Sequence, residues 1–385
     1  MASFGPIVAG LLLRGVMKRS IMSCLLFAAL ACVSLVAAAQ SAAPLRSRSD
    51  ILALMHRVDA WQLAHPVMPP TDRNWERGTW YTGVMEAWKV THDKAFFNQA
   101  LEWGKQNEWQ VGTEPRGANR LFCSETWIEL YLNKKSPEMI AATSQWLATP
   151  GPYSPAGKTR WYLDGSLPYV DSLYGASSLA MLARATGKQE YLTIMRSFFD
   201  DITRVLWDEE SGLYYRDPSF IGKSTSHGKK ILWSRGNGWA FAGIARILEY
   251  LPQNDPERPR YLAIYHRMAS ELIKRQSSDG FWRANLDDSA DIPNPESSGT
   301  AFFCFGLAWG INRHILDRRE FLPATEKAYA ALADAVGPEG KVQWGQLVDS
   351  KPNPAQREST HEYVTGAFLL AASEVYKLSP NENRK

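Results

Sequence analysis

Apolar residues recur at helical spacing along most of this chain, and the helices they predict come in pairs. The predicted helices lie near 48–64, 75–91, 94–107, 119–133, 135–147, 168–186, 188–204, 236–251, 257–275, 298–315, 320–334 and 361–377. Strand-like alternation is almost absent. Short links join several pairs: Thr91-His92-Asp93-Lys94, Thr186-Gly187-Lys188 and Leu316-Asp317-Arg318-Arg319. A glycine stands early in the first helix of several pairs, at Gly83, Gly175, Gly238, Gly299 and Gly366, at intervals of 92, 63, 61 and 67 residues. The repeating unit is a helical hairpin of about 60 residues. The unit centred on Glu125-Thr126-Trp127 lacks the glycine.

Twelve antiparallel helices in repeated hairpins suit an all-α fold of two concentric rings of six, with the first and last helices pairing to close the ring. An open solenoid is the rival, but its units are normally more regular than these variable links allow. Small residues in the first helix of each pair, such as Gly175-Ala176-Ser177-Ser178 and Ala240-Phe241-Ala242-Gly243, fit an inner helix crowded on all sides. A mid-helix Gly costs up to ~1 kcal/mol, so its repetition points to close approach. The loops entering the inner helices are rich in Trp, Arg, Asp and Asn and should ring one mouth of the barrel.

Residues 20–39 are apolar, follow Lys18-Arg19 and end in Ala37-Ala38-Ala39. That order describes a secretory signal peptide, with translation able to start at Met17. A transmembrane anchor is the other reading, but the run ends in small residues and leads into Gln40-Ser41-Ala42. The expected organisation is a signal peptide over 1–39 and one helical domain over 40–385, periplasmic or secreted and free of the membrane after cleavage. The net charge is +3, and Arg14, Lys18 and Arg19 stand before position 40 with no acid among them. The remainder is balanced, which argues against a nucleic-acid partner. Cys123 and Cys304 lie beyond the signal segment in apolar helical patterns, where a buried small hydrophobe is the expected role. The seven His residues form no pair at ligand spacing, so no metal is predicted. No cofactor is predicted either: Arg235-Gly236-Asn237-Gly238 follows no strand and is not a dinucleotide fingerprint.

Trp, Tyr and Phe number 15 each, an unusual share of indole, and the indoles gather in segments that also carry charge. Asp171 opens an inner helix beside Tyr169 and Tyr174, with Trp161 upstream. It reads either as a helix cap or as the one carboxyl group in an aromatic collar that holds a sugar ring and delivers a proton. Trp233, Arg235 and Trp239 cluster before the next inner helix, where a guanidinium suits a uronate carboxylate and core packing is the plainer role of the indole. Arg216 and Asp217 on a nearby loop read as ligand contacts or as a surface ion pair. Trp282 and Glu296 are further ligand candidates, although Glu296 also stands where a helix cap would.

Taken in order, these segments resemble the unsaturated rhamnogalacturonyl hydrolases of glycoside hydrolase family 105, and more distantly the unsaturated glucuronyl hydrolases of family 88. The likeness runs from about Arg73 to Leu378. It is most specific at Trp233-Ser234-Arg235-Gly236-Asn237-Gly238-Trp239, at Asp171-Ser172-Leu173-Tyr174, at Phe281-Trp282-Arg283 and at Glu296-Ser297-Ser298-Gly299. The resemblance implies a six-hairpin (α/α)6 barrel. It also implies an oligosaccharide substrate whose non-reducing end is a 4,5-unsaturated uronic acid. In that family an Asp matching Asp171 protonates C4 of the vinyl ether and helps add water at C5, and the hemiketal formed then opens. This is hydration rather than the direct displacement of most glycosidases. Positions matching Trp233, Arg235 and Trp239 would contact sugar or carboxylate. Relatives carry His-Ala-Asp-Asp where this chain reads Gly117-Ala118-Asn119-Arg120, so Asn119 replaces a second acid, with Asp217 or Glu296 as possible substitutes. Tyr169 stands where some relatives have Trp. A non-catalytic carbohydrate-binding protein and a hydrolase of saturated uronides are the competing functions. A second carboxyl group beside Asp171 would discriminate among them.

Overall fold

The computed structural model describes Met1 and residues 45–114, 117–148 and 168–380. The signal segment 1–39 and Trp161 lie outside the described residues. Among those described, the domain from Leu45 onward holds twelve main helices: α1 (Arg48–Ala64), α2 (Trp75–Thr91), α3 (Lys94–Gln106), α4 (Phe122–Lys134), α5 (Glu138–Ala148), α6 (Ser177–Thr186), α7 (Glu190–Leu206), α8 (Ser234–Tyr250), α9 (Arg258–Lys274), α10 (Ser297–Asn312), α11 (Arg318–Asp334) and α12 (Glu362–Leu378). Single turns at Gly117–Arg120 and Ser172–Gly175 precede α4 and α6. The helices predicted over 119–133 and 168–186 are therefore each broken near their N-terminal ends.

Helices α2, α4, α6, α8, α10 and α12 pack side by side in sequence, and α12 returns to α2, so the inner ring closes. The remaining helices form the outer layer, each against an inner neighbour. This is the (α/α)6 barrel. The two layers differ in composition for a physical reason. Every residue of α8 except Glu249 is buried, because an inner helix has neighbours on all sides. The outer α7 buries only one stripe, Tyr191, Leu192, Met195, Phe198, Phe199, Ile202 and Leu206, at the i, i+3, i+4 spacing of a helix with one wet face.

Ring closure depends on two of the recurring glycines. A Cβ on Gly83 would run into the Gly366 carbonyl, and one on Gly366 into that of Thr79, so α2 and α12 meet backbone to backbone. On the outside, Thr365 of α12 donates to Gln62 of α1 at 2.8 Å, and Arg48 donates to the Ser379 carbonyl at 3.2 Å. The first and last helices are thus neighbours. Side-chain oxygens satisfy the exposed N-termini of outer helices: Ser47 caps α1, Asp93 caps α3 and Asp317 caps α11. Cys123 and Cys304 are buried and unbridged. No helix among the described residues is long and apolar enough to cross a membrane.

One local element was not foreseen. Trp207–Asp208 and Leu213–Tyr214 pair as a short antiparallel hairpin between α7 and α8. Asn237 holds it in place: its side chain accepts from Tyr214 N at 2.8 Å and donates to Tyr214 O at 2.9 Å. The Gly-Asn-Gly stretch therefore lies within α8 rather than forming a turn, and its Asn fixes the strand that leads into Arg216.

Candidate active site

The N-terminal ends of five inner helices, with the loops before them, surround a cavity of about 570 Å³. Trp75 and Glu76 come from α2, Asn119 and Phe122 from the entry to α4, and Tyr169 and Asp171 from the entry to α6. Arg216 follows the small hairpin, Trp233, Arg235 and Trp239 belong to the start of α8, and Val348, Asp349 and Ser350 come from the loop before α12. Glu114 completes the lining.

Asp171 is the N-terminal flank of the single turn Ser172–Gly175 but makes no side-chain cap bond to it. It faces Arg216, with Nη2 3.3 Å from Oδ2. Arg216 also pairs with Asp217 at 2.8 Å and lies over the Tyr169 ring at 5.4 Å. Burial works against the charge on Arg216, but Asp171 and Asp217 outweigh it and raise its pKa. The sequence predicts an aromatic collar around Asp171; the structure also sets the Arg216 guanidinium beside it. Tyr169 donates from its hydroxyl to Asn119 at 3.0 Å, so the residue replacing the second acid is tied to the wall.

The aromatic wall centres on Trp239. Its ring meets Trp75 edge-on at 6.0 Å, Phe122 at 5.5 Å and Tyr174 at 5.0 Å. Trp233 is anchored by donating Nε1 to Gln346 at 2.9 Å. Arg235 also lines the cavity, but its guanidinium is committed elsewhere. It stacks on Trp233 and Tyr363 and donates to the carbonyls of Gln346 (2.8 Å), Leu347 (3.1 Å) and Asp349 (3.1 Å) and to the Tyr363 hydroxyl. Arg235 holds the 346–349 loop as one wall. Arg216 also lines the cavity, set between Asp171 and Asp217, and is the guanidinium there that is not bound to loop carbonyls among the described residues.

Three predicted site residues lie outside the lining. Trp282 is fully buried, donates Nε1 to the Leu272 carbonyl at 2.7 Å and packs edge-on to Phe303, so it is core. Glu296 is equally buried and caps α10, accepting from Ser298 N at 2.8 Å and Gly299 N at 2.7 Å. Asp217 caps the 3₁₀ turn Pro218–Phe220 through Ser219 N at 2.8 Å while pairing with Arg216. Burial works to raise Asp217, but its bonds from Ser219 and Arg216 hold it below the usual carboxylate range. Neither Asp217 nor Glu296 is a free second acid.

Sequence reasoning missed Trp75, Glu76, Glu114 and the 348–350 loop. The available signal was position: Trp75 and Glu76 open an inner helix, where the other mouth residues also stand. Glu76 is 8% exposed, and its Oε2 is buried without a hydrogen-bond partner. Burial pushes its pKa up to about 8; the Glu114, Asp72 and Glu362 carboxylates push the same way, and only a bond to its own backbone N–H opposes them. The mouth therefore joins an aromatic wall, one ion-paired carboxylate and one carboxyl group that favours its neutral form. That set can stack a sugar ring, attract an anion and exchange protons.

Residues 52–379 match the model of the Glycosyl Hydrolase Family 88. The chain is 33% identical over 353 residues to the unsaturated 3S-rhamnoglycuronyl hydrolase of Formosa agariphila, covering 86% of this chain and 92% of that protein. It is 31% identical over 330 residues to the enzyme of the same name from an Alteromonas species, covering 81% and 79%. Its fold superposes on a family 88 glycosyl hydrolase from Bacteroides vulgatus with a TM-score of 0.77 and 28% identity, over 86% of this chain and 99% of that one. With the barrel, the mouth and these likenesses in agreement, the chain belongs to the Glycosyl Hydrolase Family 88 and is a glycoside hydrolase.

Proposed function

We propose that the enzyme removes a 4,5-unsaturated uronic acid from the non-reducing end of lyase-generated oligosaccharides by hydrating the C4=C5 double bond. The names of the two relatives above support this substrate class. The observation that carries the reading is the pairing of Asp171 with Arg216 inside an aromatic-walled cavity. Trp239, Trp233 and Trp75 give the ring apolar faces, Arg216 supplies positive charge for the uronate, and Asp171 handles protons at the reacting carbons. Protonation at C4 leaves an electron-poor C5, water adds there, and the hemiketal opens with loss of the glycosidic bond. Glu76 and Glu114 line the same cavity, so further carboxyl groups stand in the mouth that holds Asp171. Residues 20–39 support export as a further part of this proposal, which N-terminal sequencing of the mature protein tests.

The central test is incubation with lyase-digested pectin, ulvan and glycosaminoglycan while following the ultraviolet absorbance of the double bond. Loss of absorbance with release of the terminal sugar is the expected result. Activity only on saturated uronides would replace this reading.

A further inference from the structure

We propose that Glu76 is the proton donor of the hydration, with Asp171 acting as the base that receives a proton from water. This rests on the reading above and divides between two carboxyl groups the work that the resemblance gives to one. The division starts from geometry. Both carboxyl groups line one cavity, from different inner helices. Asp171 meets a guanidinium, which suits a carboxylate that accepts a proton. Glu76 meets none. Its sequence neighbour Arg77 is fully occupied by Glu362, at 2.6 and 3.0 Å, and by the Met68 and Pro69 carbonyls.

Among the described residues, the charged groups that act on Glu76 are acidic. Asp72 precedes its helix, Glu114 comes from the loop after α3, and Glu362 and Tyr363 come from α12. Asn74 holds Glu114 in place, accepting from Thr113 N at 2.8 Å and Glu114 N at 3.2 Å. Among the described residues, the cations at the cavity face other groups: Arg216 lies between Asp171 and Asp217, and Arg235 donates to loop carbonyls. A carboxyl group so placed stays protonated into the neutral range.

The step balances without a further reactant. The O–H bond of Glu76 breaks, and the C4=C5 π electrons form the new C4–H bond. The ring oxygen shares the positive charge left at C5. A water lone pair forms the C5–O bond while Asp171 takes one of that water's protons. After the product leaves, solvent returns a proton to Glu76 and removes one from Asp171. Asn119 cannot perform either transfer.

The test measures turnover and its pH profile for wild type, Glu76→Gln, Glu76→Asp and Asp171→Asn on one lyase-generated unsaturated disaccharide. Thermal unfolding near pH 6, where Glu76 is neutral and Gln is isosteric with it, checks the fold. Glu76→Gln should lose ~10²–10⁴-fold in kcat with KM little changed. Wild type should show an alkaline fall in turnover near pH 8, and the residual activity of Glu76→Gln should lack it. Glu76→Asp should keep part of the turnover with that fall displaced. Retention of more than about a tenth of wild-type kcat by a folded Glu76→Gln, or an unmoved alkaline limb, overturns the assignment while wild-type activity keeps the substrate reading intact. A wild type inactive on every unsaturated substrate overturns both.

Discussion

Two glutamates on helix α2 face opposite fates. Glu76 opens the helix at the mouth, and Glu86 sits ten residues on, about 15 Å along the axis toward the other end of the barrel. Both are buried. Glu86 lies between two cations, 2.8 Å from Lys89 and 2.8 Å from Arg246. Burial works to raise its pKa, but these cations outweigh it and hold it at about 2. Glu125 on α4 is intermediate: it has one cation, Arg246 at 2.9 Å, and burial outweighs that partner to leave its pKa raised. Glu76 has no cationic partner among the described residues, and burial raises it to about 8. Burial costs a carboxylate at all three sites; the number of cationic partners decides which one ionises. Toward the far end of the inner ring the glutamates are set against cations, and the mouth keeps a carboxyl group with no cationic partner among the described residues.

The largest expected effect lies at the mouth. Asp171→Asn keeps the shape of the side chain but cannot take a proton, so turnover should fall ~10²–10⁴-fold while sugar binding persists. Steady-state kinetics beside calorimetric binding measures this. Retained turnover would move the proton chemistry away from Asp171 and dissolve the contrast between the two ends.

At the far end, Arg246→Met removes the cation shared by Glu86 and Glu125. Breaking a buried network from one side typically costs 3–5 kcal/mol, so denaturant midpoints should fall steeply. The folded fraction should keep its kcat, because Arg246 does not line the cavity. A variant as stable as wild type would show that the far-end charges contribute no net stability.

The two glutamates also predict opposite pH signatures. Glu86 sits below its ordinary value, so its contribution is present above about pH 4.5 and is lost as the pH falls through about 2. Glu76 sits above its ordinary value, so the folded state binds the proton more tightly. Its contribution is intact below about pH 4.5, declines as the pH rises toward 8, and is flat beyond. As the pH rises, Glu76→Gln should therefore gain on wild type between about pH 4.5 and 8, by on the order of a few kcal/mol, and Glu86→Gln should lose on wild type between about pH 2 and 4.5. Equilibrium unfolding at stepped pH reads both, and matching signs would refute the contrast.

The ring was legible in the sequence because an inner helix and an outer helix leave different patterns: small residues throughout one, a single apolar stripe on the other. The position of the mouth was legible from the Trp, Arg and Asp at the entries to the inner helices. The division of labour inside it was not. Asn74-Trp75-Glu76 looks like any helix start with an acid in its first turn. What makes Glu76 unusual is long-range: Glu362 occupies Arg77 from 285 residues away. Arg235 looked free for a ligand because the carbonyls that hold it, Gln346 to Asp349, lie more than a hundred residues further on. The two breaks near the starts of α4 and α6 are likewise tertiary, since Gly175 packs on the backbone of Ala118.

The smallest predicted effect separates an indole of the mouth from one of the core. Trp282 and Trp239 are both buried, large and close to the start of an inner helix, and composition does not distinguish them. Geometry does. Trp239 lines the cavity, while Trp282 gives its only polar atom to the Leu272 carbonyl and packs against Phe303. Trp282→Phe keeps most of the apolar contact and loses one hydrogen bond, while the Leu272 carbonyl still accepts from Arg275 N at 2.9 Å. The cost should be about 0.5–1.5 kcal/mol of stability, with kcat and KM for the unsaturated substrate unchanged. Trp239→Phe at the same loss of size should raise KM, because a smaller ring faces the sugar. Thermal unfolding and steady-state kinetics on the pair decide it. Unchanged KM for both would place the sugar elsewhere in the mouth, whereas a raised KM for Trp282→Phe alone would return that indole to the site and make the wall, rather than the carboxyl pair, the part of the mouth that depends on the core behind it.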